Sequence, residues 1–118
     1  MKRDDDLIRE LLLEYEQEDD WLLMMPATAM GASTEDRLKR GHILLMMDAG
    51  LVAEVERGTF RITNAGHEFL QAIRSEGIWE KTKKAVAETG GNATLDILKQ
   101  VALGFLKVKI EKHTGLEI

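Results

Sequence analysis

The stretch His42-Ile43-Leu44-Leu45-Met46-Met47-Asp48-Ala49-Gly50-Leu51 decides the fold, together with the run from Val52 to Thr63 that follows it. A helix capped by Ser33 or Thr34, with Asp36 in its first turn, is predicted to run to Ala49 and stop at Gly50, a left-handed C-cap. Leu51 to Glu56 and Thr59 to Ile62 flank Arg57-Gly58, the pattern of a tight β-hairpin. Thr63 then caps a helix carrying Phe69, Leu70 and Ile73.

Upstream, Leu7, Ile8, Leu11, Leu12 and Tyr15 recur at three- and four-residue spacing, so Asp4 to Glu18 reads as an amphipathic helix. Its opening aspartates suit the positive end of a helix dipole. Trp21 to Met25 is too short for a helix and ends at Pro26; it reads as a short strand or an extended buried segment. Ala27 to Ala32 reads as a loop. Downstream, Glu76-Gly77 interrupts the helical pattern, and Ile78, Trp79, Thr82 and Val86 resume it to about Glu88. Trp79 keeps the phase of that stripe and is expected to be buried against the first helix near Leu11 and Tyr15. Gly90-Gly91-Asn92 reads as a linker before a last helix that is apolar well beyond one face.

Helix, short strand, helix ending in Ala-Gly-Leu-Val, hairpin, then Thr-x-x-Gly-His-x-Phe-Leu is the order of a winged helix. The expected class is therefore α+β, a winged helix-turn-helix with an extra C-terminal helix. The expected division is a winged-helix domain over 1–89, a linker at 90–92, and a C-terminal helix and tail over 93–118. Trp21 to Ala32 is poor in helix signals, so the turn is degenerate or replaced by extended chain.

The chain also resembles an uncharacterised bacterial and prophage-borne domain family. The marks are Met1-Lys2-Arg3-Asp4-Asp5-Asp6-Leu7-Ile8-Arg9, His42 to Leu51, Arg61-Ile62-Thr63-Asn64-Ala65-Gly66-His67-Glu68-Phe69-Leu70, Ala72-Ile73-Arg74 and Ile78-Trp79. The resemblance covers roughly residues 1–88 and implies a winged-helix fold. It carries no catalytic residue with it.

The 118 residues include no cysteine, which excludes a disulfide scaffold and a thiolate zinc site. No apolar run reaches the roughly 18 residues that span a bilayer, and the Met-Lys-Arg start followed by three aspartates is not a secretory signal, so a cytoplasmic location is expected. Net charge is -5, and residues 1–20 hold nine acids against three bases. The remaining chain is thus near neutral and leaves room for a basic face.

If the helix over 34–49 buries Leu38, His42, Leu45, Met46 and Ala49, its other face shows Arg37, Arg40, Ile43, Leu44 and Met47. Arg37 and Arg40, with Arg57 and Arg61 on the hairpin, are the candidate contacts to double-stranded DNA. Leu44 and Met47 fit better against protein or the last helix. Leu98, Val101 and Phe105 on that last helix are candidates for a homodimer interface. The lysines from Lys107 to Lys112 are a second store of positive charge. His42 is expected in a buried structural role rather than as a ligand, and His113 in a solvated tail. Neither a nucleophile–base pairing nor a phosphate loop is present, and no metal, cofactor or enzymatic activity is expected. Two functions follow: a small DNA-binding or transcription-regulatory adaptor of mobile-element type, or a module that binds a protein partner and no DNA.

Overall fold

The computed structural model describes residues 1–26 and 31–118; the expected loop at Ala27 to Ala32 lies, over 27–30, outside them. The described residues form five α-helices and one small antiparallel sheet, a mixed α+β architecture. The order is α1 (Asp5–Glu16), β1 (Leu23–Met24), α2 (Thr34–Asp48), β2 (Val52–Glu54), β3 (Thr59–Ile62), α3 (Asn64–Ile73), α4 (Glu76–Glu88) and α5 (Leu95–Thr114). No described helix is long and apolar enough to cross a membrane. The chain groups into two compact units, Met1–His67 and Glu68–Ile118, with the boundary inside α3.

In the first unit the sheet order is β1-β3-β2. Leu23 pairs with Phe60 and Met24 with Thr59, while Val52 pairs with Ile62 and Glu54 with Phe60. Cross-strand partners share a face. Leu23, Val52 and Phe60 therefore form the buried face, and the Phe60 and Tyr15 rings stand nearly perpendicular with centroids 5.0 Å apart. Ile8, Leu11 and Leu12 of α1 are buried in the predicted phase. Asp4 caps α1 by accepting from Leu7 N, and Ser33 caps α2 by accepting from Asp36 N. Gly50 ends α2 at φ +76°, and Gly58 turns the hairpin at φ +83°. Both are conformations that favour glycine.

One expectation needs correction. The buried residues of α2 are His42, Ile43 and Met46, whereas Leu38 and Ala49 are exposed. The helix is rotated from the expected phase, and Ile43 lies in the core rather than on the outer face. Of the two alternatives for the segment before Pro26, the short strand is the one found, as β1, and the buried segment is the one set aside: only Leu23 is inside, while Met24 is 71% and Trp21 66% exposed.

In the second unit Ser75 caps α4 through Ile78 N and Thr94 caps α5 through Ile97 N. Gly90 and Gly91 form the turn between these helices, donating to Ala87 O and Val86 O at positive φ. The buried residues are Phe69, Leu70, Ala72 and Ile73 of α3, Ile78, Trp79 and Thr82 of α4, and Leu95, Leu98 and Ala102 of α5.

Candidate functional site

Three features of the first unit bear on function: the outer face of α2, the hairpin, and the outer face of the sheet. α2 is fastened by the chain's N-terminal arm. The buried His42 sets its Nδ1 2.9 Å from Leu38 O, so Nδ1 carries the proton and donates. Nε2 is left to accept from the backbone N–H of Asp4 at 2.8 Å. The His42 ring thus links α2 to the residue that caps α1, a structural role as expected. Arg37 and Leu44 lie on the exposed side of α2, and Met47 is half-buried. Arg40 is half-buried too, with its guanidinium donating to Pro26 O at 3.5 Å. The first turn of α2 carries Glu35 and Asp36, and Glu35 holds Lys39 at 3.4 Å.

The hairpin closes through Thr59. Its N–H donates to Glu56 O at 2.9 Å, and its hydroxyl accepts from Glu56 N. Arg57 stands exposed at this turn between Glu56 and Gly58. Met25 N donates to Gly58 O at 2.9 Å, which fixes the segment after β1 to the hairpin tip. The alternation that buries Leu23 and Phe60 turns Leu22, Met24, Ala53, Thr59 and Arg61 to the sheet's other face, with Val55 continuing that row. Leu22, Met24, Val55 and Arg61 are exposed there. Leu22, Met24 and Val55 therefore share this open face of the sheet with Arg61.

Beside the sheet, Tyr15, Glu18, Asp19, Asp20, Trp21 and His67 line a depression of about 170 Å³. Burial, and then the charges of Glu14 and Glu18, raise the pKa of Tyr15 above its ordinary value of 10.0. His67 is exposed.

The four candidate DNA contacts are thus Arg37, Arg57 and Arg61 at the surface and Arg40 partly withdrawn. Of the candidate interface residues on α5, Leu98 is buried within the chain, and Val101 and Phe105 are half-buried. The outer sheet face escaped the sequence reading. The signal was available in the alternation of Leu22, Leu23 and Met24, but an apolar run this short does not show which side is solvated.

The family model described as "Hypothetical protein (DUF2513)" matches residues 2–92. A protein of Haemophilus influenzae (strain Rd) carrying the name "Uncharacterized protein" is 30% identical over 111 residues, which is 86% of this chain and 92% of that one. No solved structure matches the chain. With three quarters of its length under the family model, the chain belongs to the DUF2513 family.

Proposed function

We propose that this chain is a winged-helix interaction module that docks a protein partner on the outer face of its sheet. The element order α1-β1-α2-β2-β3 and the strand order β1-β3-β2 support the winged-helix reading, with the β2–β3 hairpin as the wing. The observation that carries the docking reading is the exposed set Leu22, Met24 and Val55 on the face shared with Arg61. Apolar surface on one face with an arginine has the composition of a protein interface.

Charge favours the same reading. The unit Met1–His67 holds 14 acids and 8 bases, a balance that repels a polyanion. Glu35 and Asp36 occupy the first turn of α2, where a recognition helix meets base edges. The DNA-binding, regulatory reading of mobile-element type keeps one specific support: Arg37 and Arg57 are exposed on the helix and the wing that would meet the duplex.

A photo-cross-linking residue at Met24, introduced in the source cells, is expected to give one discrete heavier adduct. That adduct should survive nuclease and disappear with Leu22→Asp. Purified protein is expected to show no saturable binding to random-sequence duplex at low salt. Absence of an adduct would overturn the docking reading. Duplex binding that weakens with salt by about 0.9 log units per phosphate contact, and is lost in Arg37→Ala with Arg57→Ala, would replace it with the DNA reading.

A further inference from the structure

The end of α5 overhangs the helix it packs against. α4 has 13 residues and α5 has 20, so their lengths are ~20 Å and ~30 Å. The start of α4 faces the last three turns of α5, and the end of α3 closes the space beside them. The result is a cavity of about 550 Å³ within the C-terminal unit. Its apolar wall is Ile78, Leu106 and Ile110, Arg74 and Lys109 supply positive charge, and the His113 ring lies beside them. A second depression of about 270 Å³ shares Ile78 and Lys109 and adds Lys81 and Lys112. Neither is lined by a carboxylate, although the chain as a whole has a net charge of -5. Lys109 has no ion-pair partner among the described residues.

We propose that this notch binds a small organic anion, a carboxylate head on a hydrocarbon body. The volume lies in the range of small-molecule sites, roughly 300–1,000 Å³. The apolar wall suits a hydrocarbon body. Lys109 and His113, one helical turn apart on α5, suit the head. A second copy's acidic helix is a poorer occupant, because Ile8, Leu11 and Leu12 of α1 are already buried in their own unit.

Calorimetric titration of the full chain with decanoate, decanol and decyltrimethylammonium tests this assignment. Decanoate is expected to bind one to one, with decanol at least about tenfold weaker and the cationic surfactant not bound, as a charge-assisted contact requires. Lys109→Gln should weaken decanoate about tenfold, leave decanol unchanged and leave the melting temperature at the parent value, since Lys109 is exposed. Decanoate should shift the backbone amide resonances of residues 71–78 and 106–113. Equal affinities for decanoate and decanol, an unaltered Lys109→Gln titration, amide shifts confined to other residues, or no saturation below the micellar limit would each overturn the proposal.

Discussion

Gly66 explains why Thr63-x-x-Gly66 stands at the start of α3. Thr63 N donates to Leu51 O at 3.0 Å, and its hydroxyl donates to Gly50 O while accepting from Gly66 N. This clasp draws the first turn of α3 onto the strand entrance. A Cβ at Gly66 would collide with the Leu51 carbonyl oxygen and come within 2.8 Å of Ile62 Cγ2. The carbonyl is backbone of the buried Leu51 at the entrance to β2, so it cannot swing aside as a side chain could. Gly66→Ala is therefore expected to cost about 3 kcal/mol. Gly77→Ala is the matched control: its Cβ would meet only Ser75 Oγ, at 3.7 Å. It lies in the first turn of α4 and should stabilise by up to ~1 kcal/mol. Urea denaturation of the pair reads both, and a Gly66→Ala midpoint equal to the parent's would refute the close-approach account. The threonine cap was legible in the sequence. The reason for the glycine was not, because it depends on a carbonyl fifteen positions away.

At the scale of elements, helices were legible wherever apolar residues kept one period and a cap stood in front. Asp4 with Leu7, Ile8, Leu11 and Leu12 gave α1, and Ile78, Trp79 and Thr82 gave the buried face of α4. The phase of α2 was not legible. Ile43 to Met47 is apolar without a break, so several stripes fit it equally, and tertiary packing chose Ile43 over Leu38. The open face of the sheet was hidden for a related reason, since a two-residue strand offers no period to read. Within α4, Trp79 is buried and Lys83 Nζ lies 5.8 Å from its ring centroid. Thr82 is buried as well, with its hydroxyl donating to Ile78 O at 2.8 Å. That carbonyl already takes part in the helix ladder. Thr82→Val therefore exchanges a modest bond for apolar burial and should change stability by less than about 1 kcal/mol. Trp79→Ala should cost about 3–5 kcal/mol. Thermal melts of both variants test the contrast, and equal losses would mean that the Thr82 hydroxyl matters as much as the indole.

Across the whole molecule, acidity is concentrated in Met1–His67, while Glu68–Ile118 holds 8 bases against 7 acids. The last helix keeps apolar side chains at the surface. Leu95, Leu98 and Ala102 are buried, yet Ile97 remains 48% and Val108 49% exposed. Ile97, Val101, Gly104 and Val108 follow one another at spacings of four, three and four, which places them on one stripe of α5. Nothing lies within 4 Å of a Cβ built on Gly104, so the middle of the stripe is open to a close approach. A stripe of this spacing suits a two-helix seam, for which a second copy of the same helix would supply a matching surface under two-fold symmetry. Four residues are far fewer than the roughly 20–30 a side of a standard interface, so the expected product is a homodimer that dissociates on dilution. Light scattering should show the dimer at high protein concentration and a falling mass as the sample is diluted. Ile97→Glu with Val108→Glu replaces two exposed side chains, leaves the buried face of α5 intact, and should give a monomer with the parent's helical content. A parent that is monomeric at its highest soluble concentration, or a double variant that still dimerises, would remove the interface from this stripe.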